Sequence, residues 1–182
     1  KFVDSTVVPV TDEMEAHLII EVDGNHQETL IKEMESISEL LLQFDCGDIF
    51  FADDAQQKAE LWKLRRRVAE AVKIDGYTIE EDTVVPRAQL PALIKGVKEL
   101  GKQFNFEMVC YVHAGDGNLH IRIKKPGSIY SLNNPDVVPA LNALFKLVKS
   151  LGGTISGEHG IGLVQKAYMD IVFEKANMEI MK

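Results

Sequence analysis

Cysteine is scarce in this chain, and the two residues present, Cys46 and Cys110, lie far apart with no CxxC pair. That spacing excludes an iron–sulfur cluster ligated by this chain alone and fits a reducing compartment, with two buried free thiols as the expectation. Basic excess is also lacking: 20 Lys and Arg stand against 28 Asp and Glu, a formal net charge of -8. An acidic domain repels phosphate backbones and anionic bilayers, so nucleic-acid and membrane-surface binding are set aside. No apolar run approaches the roughly 18 residues that span a bilayer. The opening KFVDSTVVPV has no continuous apolar segment of a secretory leader. A cytoplasmic location follows, peripheral to a membrane at most through a partner. No GxGxxG follows a strand pattern, and repeats and low-complexity tracts are missing. The chain also lacks an initial Met, and its final ANMEIMK stops inside an amphipathic pattern with no helix stop signal, so it reads as a piece of a longer protein.

What is there suits a globular fold. The 182 residues are 46% hydrophobic and 26% charged, which is enough for one domain over 1–182 with a real core. Strand patterns are read at His17 to Asp23 (HLIIEVD), Asp48 to Phe51 and Glu81 to Pro86, the last kept from a central ladder position by its proline. Helical spacing of apolar residues runs from Gln27 to Phe44 and again to about Lys73, where Asp53 or Asp54 can cap the start. Further helices are read at Leu90 to Gln103, with Pro91 near its start, and from Asn134 or Asp136 to about Leu151, ended by Gly152 and Gly153. One more is expected from Val164. The one clear strand-to-strand connection is a hairpin, Glu107 to His113 and Asn118 to Lys124. The expected class is therefore α+β, a ferredoxin-like antiparallel sheet with helices packed on one face.

The hairpin carries the chemistry. Side chains alternate by face, so Met108, Cys110 and Val112 form an apolar row that matches Leu119, Ile121 and Ile123. The other face carries Tyr111, His113, His120, Arg122 and Lys124. If residues 114 and 119 pair, His113 stands opposite His120 with Cβ atoms ~5 Å apart, close enough to share a metal at ~2.1 Å. Gly115 and Gly117 would supply the backbone angles of the turn, and a one-residue slip in register would break the arrangement. The plain alternative is a partly exposed hairpin with two polar histidines. A catalytic site also needs a third ligand and an open position. SGEHG (156–160) offers Glu158 as that ligand and His159 as a ligand or general base, on a loop whose glycines permit close approach. Equally, Glu158 could cap a helix starting near Gly162.

Three segments carry a family resemblance: CYVHAGDGNLHIRI (110–123), GGTISGEHGIGLVQKAYM (152–169), and ELWKLRRRVAEAV (60–72) followed by EEDTVVPRAQLP (80–91). Together they resemble the C-terminal domain of FAD-linked oxidases, the superfamily of vanillyl-alcohol oxidase and p-cresol methylhydroxylase. Within it they are most similar to the group of glycolate oxidase flavoprotein subunits, D-lactate dehydrogenases and D-2-hydroxyglutarate dehydrogenases. The resemblance implies metal ligands at His113, His120 and Glu158, a base for the substrate hydroxyl at His159, and a substrate-carboxylate arginine at Arg65, with Arg66 and Arg67 solvated or structural. It implies FAD held mainly by a further, N-terminal domain. Where the 2-hydroxyglutarate branch has a lysine after its glycine-tyrosine pair, this chain, after Gly76 and Tyr77, carries Glu80 and Glu81. Carboxylates there would repel a second substrate carboxylate, so the expected substrate is a small 2-hydroxy monocarboxylate, glycolate or D-lactate. Arg122 is a further candidate anchor for the substrate, or else the partner of an acidic neighbour.

The resulting expectation is the substrate and metal half of an FAD-dependent 2-hydroxy acid dehydrogenase, inactive alone. Nitrogen and oxygen donors admit zinc, manganese or iron. The electron acceptor would be a quinone or a partner protein, and an oligomer is compatible with all of this. Two rivals use the same residues: a metal-dependent hydrolase, and a non-catalytic ferredoxin-like binding module.

Overall fold

A computed structural model describes residues 14–74, 79–124 and 137–181. By its internal contacts the chain divides into two compact units, Lys1–Ala71 and Val72–Lys182. Arg65 belongs to the first and the two histidine- and glutamate-bearing motifs belong to the second.

In the first unit, helix α1 spans Gln27–Leu41 and α2 starts at Ala55, running on to Ile74. Asp54 caps α2: its Oδ1 accepts the Gln57 N–H at 2.7 Å, satisfying one of the free donors of the first turn. Residues 17–23 and 48–51 carry strand-like patterns but form no ladder among the described residues. An apolar pattern provides a face, whereas a strand also needs a neighbouring backbone to pair with. Residues 14–23 are instead tied to α2 through Glu21, which pairs with Lys58 and accepts from Trp62 Nε1 at 3.2 Å.

The second unit is built on a three-stranded antiparallel sheet. Strand β1 is Ile79–Val84, β2 is Glu107–His113 and β3 is Asn118–Lys124, in the order β1-β3-β2. Helix α3, Leu90–Phe104, connects β1 to β2, so β3 lies between two parallel strands in a split β-α-β arrangement. Pro91 stands in the first turn of α3, where a missing N–H costs nothing, and Asn105 ends the helix in the left-handed conformation. Helix α4, Val137–Ser150, follows; both residues expected to start it, Asn134 and Asp136, lie outside the described residues. Leu119, Ile121 and Ile123 are fully buried against Leu93 and Val97 of α3 and Leu141, Leu144, Phe145 and Val148 of α4. The class is α+β, with helices packed on one sheet face as expected. Past Gly153 the single expected helix is three short pieces: a 3-10 turn at Gln165–Tyr168, α5 at Met169–Val172 and α6 at Lys175–Ile180. Cys110 is half-buried, and burial pushes its thiol up to about 11, but Cys46 is exposed rather than buried.

The hairpin boundaries are as read, yet its register differs. His113 pairs with Asn118, and His120 pairs with Tyr111. The offset is two residues from the expected pairing of 113 with 120, and two residues preserve the face. His113 and His120 are therefore diagonal neighbours on one side of the sheet. Of the two turn glycines only Gly117 is left-handed, at φ 73°, while Gly115 meets nothing within 4 Å. A Cβ on Gly117 would lie 2.1 Å from the Val85 carbonyl oxygen, and its own carbonyl accepts from Val85 N–H at 3.0 Å. Gly117→Ala is expected to cost about 2–4 kcal/mol, because left-handed strain and a backbone clash add. Urea unfolding followed by circular dichroism checks this, and a cost under about 0.5 kcal/mol, within the usual range of neutral surface changes, would contradict it.

Candidate metal and proton-transfer site

The sheet face turned away from α3 and α4 is polar. Along β1, alternation puts Glu80 and Asp82 on this face and Ile79, Glu81 and Thr83 toward the helices. Across the ladder Glu80 pairs with Arg122 and Asp82 with His120. His120 thus sits on the central strand between Asp82 and Tyr111 and is 4% exposed. The loop 154–162 crosses the same face. It is anchored at Thr154, which exchanges both backbone hydrogen bonds with Val84, and at Gly157 to His159, whose N–H groups all donate to Asp82 Oδ2 at 2.7–2.9 Å.

This brings His113, His120, Glu158 and His159 together. His120 Nε2 lies 3.1 Å and His113 Nε2 3.8 Å from Glu158 Oε1, and one donor atom from each of the three residues falls within 4.8 Å of the others. Donors ~2.1 Å from a tetrahedral metal stand ~3.4 Å apart, so the trio fits a divalent ion. His159 stacks near His120, with ring centroids 5.1 Å apart, and its Nε2 is 3.9 Å from Glu158 Oε1. His113, Glu158 and His159 are each about half-exposed. The donors therefore have one buried wall and an open side. Glu158 does not cap a following helix; the next 3-10 turn begins at Gln165 with no side-chain cap.

The electrostatics suit a ligand set. Burial holds the His120 imidazole below its ordinary value, against the pull of Asp82, and so favours the neutral ring that a metal requires. Burial, the largest single effect, would raise Asp82, but the N–H groups of His159 and Glu158 lead the effects that together outweigh it and keep its carboxyl below the ordinary range.

Beside His120, Tyr111 stacks on the ring at 5.2 Å and donates to Glu80, while Arg122 Nε donates to the Tyr111 oxygen at 2.7 Å and its guanidinium pairs with Glu80. Of the two readings of Arg122, pairing with an acidic neighbour is the one found, and its side chain is 6% exposed. Burial and the Glu80 hydrogen bond push the Tyr111 hydroxyl up to about 12, so it remains a donor. Contrary to the expectation of two repelling carboxylates, Glu80 and Glu81 lie on opposite faces of the sheet. Glu81 points to the opposite face, into the core, where its Oε2 accepts from Gln165 Nε2 at 2.7 Å. Glu80 keeps the site face, with its charge compensated by Arg122. Arg65 stands half-buried on α2 of the first unit.

Sequence reasoning put Tyr111 on this face without a role and missed Asp82 and Gln165. The alternation of EED was a usable signal that residues 80 and 82 share a face and 81 does not.

Comparison with known proteins places the chain among its relatives. A model of the family described as FAD linked oxidases, C-terminal domain, matches residues 3–182. The chain is 31% identical over 172 residues to glycolate oxidase subunit GlcD of Bacillus subtilis, covering 92% of this chain and 35% of that protein. It is 31% identical to a D-lactate dehydrogenase of Anaerostipes hadrus, over 100% of this chain and 39% of that protein. Identity to a D-2-hydroxyglutarate dehydrogenase of Stutzerimonas stutzeri is 27%, over 91% and 36%. The chain thus spans between a third and two-fifths of the length of these three relatives.

Proposed function

The chain belongs to the family of FAD-linked oxidase C-terminal domains, and from that premise we propose that it is the substrate- and metal-binding part of an FAD-dependent 2-hydroxy acid oxidoreductase. The reaction is oxidation of glycolate or D-lactate to the 2-oxo acid. The observation that carries the reading is the convergence of three metal-type donors and a further, half-exposed histidine, His159, on one sheet face beside an open side. His113, His120 and Glu158 would hold a divalent ion, and their nitrogen and oxygen donors admit zinc, manganese or iron. When bound, the metal supplies Lewis acidity toward the substrate hydroxyl and FAD supplies the two-electron acceptor. His159 takes the hydroxyl proton, a role that suits a half-exposed imidazole beside the proposed metal donors. Arg65 holds the substrate carboxylate by a charge-assisted pair, an assignment that rests on the family motif. A quinone or a partner protein would serve as the final electron acceptor.

The test is anaerobic mixing of the intact flavoprotein with glycolate, D-lactate or D-2-hydroxyglutarate, following loss of flavin absorbance. Bleaching at least ~10-fold faster by one of the two monocarboxylates is expected, since no lysine closely follows Gly76 and Tyr77 to match a second carboxylate, at a cost above ~1.4 kcal/mol. His159→Ala should slow bleaching about 10²–10⁴-fold. No reduction by any 2-hydroxy acid, or flavin-independent ester or amide hydrolysis, would sink the proposal.

A further inference from the structure

We infer that Asp82 is the positioning residue of this site, one carboxylate that fixes both the His120 ring and the Glu158–His159 loop; this rests on the metal reading above. Asp82 is 1% exposed. Its Oδ2 accepts three successive backbone N–H groups, from Gly157 at 2.9 Å, Glu158 at 2.7 Å and His159 at 2.8 Å. Three consecutive amides converging on one oxygen leave that turn little freedom, so they set the directions in which the Glu158 and His159 side chains leave the backbone. Gly157 is seated tightly enough that a Cβ would lie 2.3 Å from Asn118 Nδ2 and 2.8 Å from Asp82 Oδ1.

The other oxygen does a second job. Among the described residues neither Asp82 Oδ1 nor His120 Nδ1, both buried, has a hydrogen-bond partner; the two stand 3.9 Å apart. A neutral histidine that ligates through Nε2 carries its proton on Nδ1, and an acceptor beside Nδ1 selects that tautomer and holds the ring. His120 Nε2 is the atom facing Glu158. Asp82 thus fixes the ligating face of His120 with one oxygen and the position of Glu158 with the other. A cap that served the loop alone would leave the His120 tautomer indifferent to Asp82.

Asp82→Asn separates these roles. The amide oxygen can still accept the loop N–H groups, while the NH2 group now confronts His120 Nδ1 and favours a proton on Nε2. In the intact protein stripped of metal, nitrogen NMR is expected to find His120 protonated at Nδ1 in the wild type and at Nε2 in Asp82→Asn. Zinc affinity by calorimetry should fall about 10–100-fold, the usual cost of losing a partner behind a ligand. If Asp82→Asn does not fold, Gly157→Ala, which lifts the loop off an intact carboxylate, should lose zinc affinity to a similar degree. The same tautomer in both proteins, or wild-type zinc affinity in either variant, overturns the inference. Wild-type protein that binds zinc no better than His120→Ala removes the metal reading itself, and this inference with it.

Discussion

His120→Ala is expected to lower turnover of the intact enzyme on glycolate and D-lactate on the order of 100-fold or more, and to reduce bound metal to background. Of the three proposed ligands His120 is the only buried one, on the central strand, with Nε2 3.1 Å from Glu158 Oε1. Its loss removes a donor and also the ring on which Tyr111 and His159 stack. His113→Ala is the cleaner companion. That side chain is 48% exposed at the end of its strand, so its loss should weaken metal binding with little change in urea stability. Steady-state assay, metal analysis by mass spectrometry and urea unfolding separate the two effects. Wild-type turnover in His120→Ala, with the protein folded, would remove the metal from the mechanism.

The second large effect concerns stability. Glu81 is 1% exposed on the helix-facing side of β1, and burial raises its carboxyl from 4.5 to about 7, only partly opposed by the Gln165 hydrogen bond. Among the described residues no donor reaches the buried acceptors Glu81 Oε1 and Gln165 Oε1. A proton on Glu81 supplies the donor the pair lacks, so acid and amide can close on each other. Because the folded value lies above the unfolded one, the contribution of Glu81 is fully present below pH 4.5. It declines as pH rises through the interval to 7 and is gone above that. The shift corresponds to about 3 kcal/mol. Glu81→Gln provides the same donor without titrating. The variant should therefore be more stable than the wild type at pH 8, by about 2–3 kcal/mol, and close to it at pH 5. His120, held low by burial, acts in the opposite sense below 6.5. The informative quantity is thus the difference between the two proteins in urea midpoints from pH 5 to 8. A difference that does not vary with pH would contradict the assignment.

The motifs HAGDGNLH and SGEHG were legible because their chemistry is local. Two strands of alternating residues around a glycine turn fix which side chains share a face, and both histidines shared one in the sequence as in the fold. The register was not legible. It depends on how many residues the turn consumes, and only Gly117 takes the left-handed conformation. The error of two residues left the site intact because alternation has a period of two. Strand patterns at 17–23 and 48–51 misled for the complementary reason, since a hydrophobic pattern does not contain the partner that makes it a strand.

By itself, then, the sequence determined the α+β class, the hairpin, the polar face it presents and the residue types able to bind a metal there. Tertiary structure alone decided that β1 lies beside β3, and with that the environment of all three acids of EED. Asp82 meets His120 and the Glu158 loop, Glu80 meets Arg122, and Glu81 turns into the core against Gln165. Alternation along one strand is a local property of the backbone. The neighbour across the ladder is chosen by burial of Leu119, Ile121 and Ile123 under α3 and α4, a choice made by residues distant in the chain.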